Sequence, residues 1–174
     1  MNLSHLKQSG PYQTRILLVV TVGLIATVGS ALAFEHIGGY APCALCLEQR
    51  TPYYIGIPFA LVGLIAAALH WPACIIRGML MIALACLIAT ALLGAYHSGV
   101  EWGFWAGPES CSASITGGPS DAGSLLQDLA TAKPPSCDEA AGRFLGISFA
   151  GWNVIAALFF AVFAWRGSFG KRTA

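Results

Sequence analysis

A chain of 174 residues that is 56% apolar and 10% charged, with a mean hydropathy of +0.68, is far from the roughly 25% charged composition of a soluble domain. The net charge of +1 offers no basic surface for nucleic acid. The composition is that of a membrane protein.

In chain order, a short head with Lys7 and Arg15 leads into a charge-free run from Ile16 to Phe34. A helix needs about 20 apolar residues to cross a hydrocarbon core of about 30 Å, where no backbone polar group can stay unpaired. This run is therefore the first expected span. Its Ala31-Leu32-Ala33 end behind a basic head also resembles a secretory cleavage site, but the run is longer than a usual signal core, and an uncleaved span is expected. Three further runs, Pro52 to Leu69, Gly78 to Tyr96 and Phe144 to Trp165, also lack charge. The expected fold is an all-α integral membrane protein. It forms one domain over residues 1–174, a four-transmembrane-helix bundle with outer loops at 35–51 and 97–143. Gly63, Ala66, Ala67, Gly94 and Ala157 are the small residues expected to let helices approach closely in lipid. Trp152 and Asn153 lie inside the fourth run, where a buried Asn needs a partner that the sequence does not identify.

Charge orients the spans. Lys7, Arg15, Arg77, Arg166, Lys171 and Arg172 occupy the head, the tight link at 70–77 and the tail, which hold no acid. By the positive-inside rule these face the cytoplasm, with both termini. The other two loops hold all eight acids, Glu35, Glu48, Glu101, Glu109, Asp121, Asp128, Asp138 and Glu139, against Arg50, Lys133 and Arg143. They face outward. Tyr53, Tyr54, Trp71, Tyr96, Trp102, Trp105 and Trp165 fall near span ends, as interfacial aromatics do, and Trp102, Phe104 and Trp105 form an expected anchor.

That topology sorts six cysteines by compartment. Cys43 and Cys46 fall in the first outer loop and Cys111 and Cys137 in the second; Cys74 lies in the inner link and Cys86 in the third span. Four cysteines on an oxidising side suggest two disulfides, while Cys74 and Cys86 are read as free, small apolar fillers. Cys43-Ala44-Leu45-Cys46 is a C-x-x-C, a spacing that permits a bridge and suits thiolate exchange. Pro42 suits a helix start and Pro52 biases Thr51 away from helix, so the motif sits either on the first turn of a kinked second helix or on a separate turn. Arg50 follows Cys46 by four residues. On a helix its charge lies on the same face and favours a thiolate or another anion there; the alternative is an arginine snorkelling to headgroups. His97 ends the third run at the same membrane face, as a polar boundary or a functional imidazole. Between Cys111 and Cys137 lie 25 residues rich in Gly, Pro, Ser and Ala, with a short apolar patch at Leu125, Leu126 and Leu129. A bridge between the ends of that loop is either a staple or a disulfide open to a soluble partner's thiol.

These residues carry a resemblance. Pro42-Cys43-Ala44-Leu45-Cys46 with Arg50, Tyr96-His97-Ser98-Gly99-Val100-Glu101-Trp102-Gly103, Cys111, Ser136-Cys137-Asp138, and Phe144-Leu145-Gly146-Ile147-Ser148 through Asn153 resemble the disulfide bond formation protein B (DsbB) family from about Ile16 to Trp165. The resemblance implies an inner-membrane oxidoreductase that reoxidises a periplasmic dithiol oxidase of the DsbA type and passes electrons to ubiquinone or menaquinone. It implies that Cys111 is attacked by the partner, with Cys137 as its mate. Cys43 and Cys46 would then receive the electrons, with Cys46 as the thiolate that addresses the quinone, and Arg50 and His97 as quinone contacts.

Four rival readings draw on these residues. A zinc site would take Cys43, Cys46, Cys111 and Cys137 with or without His97, although structural sites usually show two close pairs. A non-enzymatic assembly protein would use both disulfides as staples. An oxidoreductase of the vitamin K epoxide reductase type would need its C-x-x-C near the last spans. A c-type haem is disfavoured because Leu47 stands where C-x-x-C-H needs its His.

Overall fold

In the computed structural model, residues 11–108, 111 and 136–170 are described. Expectations for Lys7, Lys171, Arg172 and the Leu125, Leu126 and Leu129 patch lie outside them. Among the described residues, four helices are long and apolar enough to cross a membrane: α1 (Pro11–His36), α2 (Ala44–Ala68), α3 (Ala73–Glu101) and α4 (Phe149–Phe169). Each packs against its chain neighbours, and α4 closes the ring against α1. The strongest packing is that of α3 against α2 and α4.

Lipid is as apolar as leucine, so the bundle is held by close packing and interhelical hydrogen bonds more than by hydrophobic burial. The side-chain distribution shows this. Ala60, Ala157 and Ala164 have no exposed surface, whereas Leu92, Ile65 and Phe159 point outward. Gly63, Ala66, Ala67, Gly94 and Ala157 are all buried, as their size suggests. Leu17, Val20 and Leu24 of α1 are wholly enclosed, so the first span is part of the core. At Gly94 an added Cβ would lie 2.8 Å from Val154 Cγ2 and 3.3 Å from the Ala150 carbonyl oxygen. Val154 is stiff at χ1, so α3 and α4 must part. Gly94→Ala is expected to lower stability by about 1–3 kcal/mol. Gly29→Ala, whose Cβ meets nothing within 4 Å, is the control, and thermal unfolding in detergent compares the two.

The helices differ from the charge-free runs at their ends. Helix α2 begins eight residues before the expected span, because Cys43 caps it and the interior Pro52 and Pro58 do not stop it. Membrane helices tolerate proline where neighbouring groups satisfy the freed carbonyls. The C-x-x-C therefore lies on the first turn of α2. Helix α3 runs from Ala73 to Glu101, so the inner link shrinks and His97 sits within the last turns rather than closing the helix. Residues Phe144 to Ser148 are not helical. Arg143 and Phe144 (β1) pair antiparallel with Ile147 and Ser148 (β2) in a two-stranded hairpin, turned by Leu145 at φ 53° and Gly146 at φ 81°. Ser148 then caps α4 by accepting from the Gly151 N–H at 3.2 Å.

Candidate functional site

One end of the bundle gathers Cys43, Cys46, Cys111 and Cys137. Cys111 and Cys137 form a disulfide across a separation of 26 residues. Cys43, Leu45, Val100 and Cys137 make one small buried cluster, against which Cys46 and Cys111 pack half-buried. The bridge and the C-x-x-C thus touch a common core. Cys137 is 1% and Cys43 3% exposed. Cys137 is the more deeply buried half of the bridge and lies in the same cluster as Cys43.

Cys43 and Cys46 are thiols with sulfurs 2.8 Å apart. As the helix cap, Cys43 accepts from the Cys46 backbone N–H at 3.3 Å, which places its sulfur at the positive end of the α2 dipole. His97 Nε2 lies 3.6 Å from the same sulfur. The Cys46 thiol, first, and then His97 and the Cys46 N–H hold the Cys43 thiol well below its ordinary range, against the opposing effect of burial.

Behind Cys43 runs a buried polar network. Gln49 Nε2 is 2.6 Å from His97 Nδ1. Asn153 Nδ2 donates to Gln49 Oε1 at 2.8 Å and to Thr90 Oγ1 at 3.2 Å, and its Oδ1 accepts from the Tyr53 hydroxyl at 2.7 Å. Thr90 donates to the Gln49 backbone carbonyl at 2.8 Å. Asn153, whose partners the sequence left open, is thus bound to α2 and α3. Glu101, one turn after His97, is buried, with Oε1 3.8 Å from His97 Nε2.

A cavity of about 530 Å³ opens among α1, α2 and α4 beside the C-x-x-C. Phe34, Tyr40, Phe149, Trp152 and Phe160 give it an aromatic wall; Cys46, Gln49, Arg50, Tyr53 and Asn153 bring polar groups to it. Arg50 donates from Nη1 to Glu35 Oε2, so its charge is shared with an acid on α1. His97 lines no part of this cavity; it lies at Cys43, with Gln49 between it and Asn153. Arg50 thus lines the cavity, while His97 stands behind the C-x-x-C, joined to the cavity-lining Gln49.

Trp105 folds back on α3, stacking on Tyr96 and donating to its carbonyl at 2.9 Å, over Gly99, where a Cβ would come within 2.0 Å of the ring. Trp102 and Phe104 stay exposed. Cys74 is exposed and Cys86 half-buried, and both are free thiols. Only the latter fits the filler role. The four-thiolate zinc arrangement is not formed, since Cys111 and Cys137 bond each other; Cys43, Cys46 and His97 still bring three potential ligand atoms within 4.8 Å of one another. Gln49, Tyr53, Thr90, Asn153 and Glu35 belong to the site without having been singled out for it. An uncharged Gln beside an Arg, and an Asn within an apolar run, were the available signals.

A four-span membrane bundle that presents a disulfide and a dithiol to one buried cluster is a thiol-disulfide protein of the membrane. Residues 13–166 match the family described as disulfide bond formation protein DsbB, and the chain belongs to that family. It is 30% identical over 166 residues to disulfide bond formation protein B of Saccharophagus degradans, covering 90% of this chain and 94% of the relative. It is also 27% identical over 164 residues to an uncharacterized protein of Rickettsia prowazekii, covering 94% and 91%. No solved structure matches the chain. Membership makes it a disulfide-forming oxidoreductase of the membrane.

Proposed function

We propose that this protein takes two electrons from a soluble periplasmic dithiol oxidase of the DsbA type and delivers them to a membrane quinone. The observation that carries this reading is the shared cluster of Cys43 and Cys137, with Cys46 turned to an aromatic cavity. The partner's thiolate attacks Cys111, a partner–Cys111 bond forms, and Cys137 leaves as thiolate. The partner's second thiol releases Cys111 and closes the partner's own disulfide. Cys137 attacks Cys43 of an oxidised C-x-x-C, and Cys46 leaves as thiolate. Cys111 then reforms its bond with Cys137, freeing Cys43, and the C-x-x-C holds the two electrons.

The cavity fits a quinone: it is concave, aromatic-walled and apolar, with a few convergent polar groups. Bound there, a quinone supplies an acceptor for two electrons and two protons. Arg50 and the Tyr53 hydroxyl are the side chains that would orient its oxygens, and the aromatic wall excludes water. The charge asymmetry supports an inner-membrane protein with cytoplasmic termini and periplasmic active loops.

Anaerobic mixing with a reduced dithiol oxidase and a soluble quinone tests the reading. One quinone should be consumed per partner disulfide formed, with the rate lost in Cys111→Ser. Thiol oxidation with no quinone consumed would overturn it.

A further inference from the structure

With the C-x-x-C reduced, its two thiols stand among groups that suit a soft divalent cation. Cys43 Sγ, Cys46 Sγ and a ring nitrogen of His97 lie within 4.8 Å of one another. Zinc takes thiolate sulfur at about 2.3 Å and imidazole nitrogen at about 2.0 Å, so tetrahedral ligand atoms stand roughly 3.5–3.8 Å apart. The 3.6 Å between Cys43 Sγ and His97 Nε2 already meets that spacing. The sulfurs, 2.8 Å apart, must open by about 1 Å, and half-buried Cys46 borders the cavity that gives it room. The Cys46 N–H donates to Cys43 Sγ at 3.3 Å, which suits a sulfur that carries negative charge. A second observation is independent of the sulfurs. The Glu101 side chain is 4% exposed, its Oε1 is 3.8 Å from His97 Nε2, and its Oε2 has no hydrogen-bond partner among the described residues. A separation of 3.8 Å is beyond hydrogen-bond reach, so the imidazole does not satisfy this buried carboxyl, and a cation beside it would. Arg50 does not supply that charge, since it is engaged by Glu35.

We infer that the reduced C-x-x-C, His97 and Glu101 form a binding site for a thiophilic divalent cation of the zinc class. Cys43, Cys46 and His97 Nε2 are the ligands, and the Glu101 carboxylate closes the fourth position. Cys111 and Cys137 take no part, which separates this site from the four-thiolate arrangement. Binding forms two metal–sulfur bonds and releases the two thiol protons to solvent, with no change of oxidation state. His97 then presents a bare Nε2 and keeps its proton on Nδ1, opposite the Gln49 amide. Exchange of the Gln49 amide ends places an acceptor oxygen there, as a metal-bound imidazole requires. Asn153 can turn with it, because the Tyr53 hydroxyl beyond it both donates and accepts. A C-x-x-C closed as a disulfide has no thiolate to give, so the cation binds only the reduced pair. Bound there, it holds both sulfurs and halts electron transfer. Only that last consequence rests on the relay reading.

The test uses the full chain in detergent with its cysteines reduced, without quinone or partner, so its failure is separable from failure of the relay. Cobalt(II) is the coloured probe and zinc its competitor. One cobalt per chain should bind with the absorbance of tetrahedral, thiolate-ligated cobalt, and zinc should discharge that colour. Cys111→Ser/Cys137→Ser should bind as the unmodified chain does. Cys43→Ser, Cys46→Ser and His97→Ala should each weaken zinc binding by about a hundredfold or more, and Glu101→Gln by about tenfold. Absence of the tetrahedral spectrum in the unmodified chain overturns the inference whatever the variants do, as does binding that is lost with Cys111 and Cys137 or unchanged in His97→Ala. With a reduced dithiol oxidase and quinone added, zinc should stop quinone consumption and a chelator should restore it. Unchanged turnover with zinc bound overturns the inhibition. A chain that binds cobalt in this way yet never reduces quinone would support the site and sink the relay alone.

Discussion

Cys46→Ser is expected to reduce quinone consumption to the uncatalysed background while leaving the first thiol exchange intact. Cys46 is the only cysteine on the cavity wall, and a serine hydroxyl neither leaves as an anion at neutral pH nor forms a disulfide. Cys111 and Cys137 keep their bond, so the partner's thiolate can still attack. The variant should therefore accumulate a partner–Cys111 adduct, or return the partner unchanged, with no turnover. Non-reducing electrophoresis after acid trapping reads the adduct, and quinone absorbance reads the turnover. Turnover at the normal rate would mean that electrons leave by another route, and the proposed role of the cavity would fail.

The second large effect concerns Arg50. Its guanidinium and the Glu35 carboxylate bond each other at the cavity rim, with side-chain exposures of 12% and 24%. Removing only the base leaves an uncompensated, poorly hydrated acid beside the ligand. Such a group costs about 2 kcal/mol, roughly thirtyfold in affinity. Arg50→Leu should raise the quinone KM by about that factor with a smaller change in kcat, and Glu35→Gln added to it should recover part of the loss. If the double variant were as impaired as the single one, the whole loss would come from the guanidinium's own contact with the quinone and the stranded acid would contribute nothing.

Much of this fold is legible in the sequence, because lipid imposes a simple rule: four charge-free runs became four helices. The rule fails at the ends. Glu48 and Arg50 look like loop residues by charge, yet both lie on α2, because its outer turns stand beyond the apolar run. Phe144-Leu145-Gly146-Ile147 reads as helix by hydropathy, whereas positive φ at Leu145 and Gly146 makes a hairpin. The cysteines could be sorted by compartment from charge alone, but the contact between pairs could not. It depends on the Cys111–Cys137 bridge lying beside Val100 at the end of α3. The buried polar network was also illegible, since Thr90, Gln49 and Asn153 are separated by up to 104 residues and meet only through helix packing.

The burial of Cys137 at 1% exposure has a consequence for insulation. A thiolate released on a protein surface can be captured by any small disulfide in solution, and each capture diverts electrons from the intended acceptor. Cys137 is released into a pocket already occupied by Cys43 and Val100. Its next collision is intramolecular, at an effective concentration no dissolved thiol or disulfide approaches. In the relay proposed here, Cys111 meets the partner, and the sulfur that carries the charge onward stays buried.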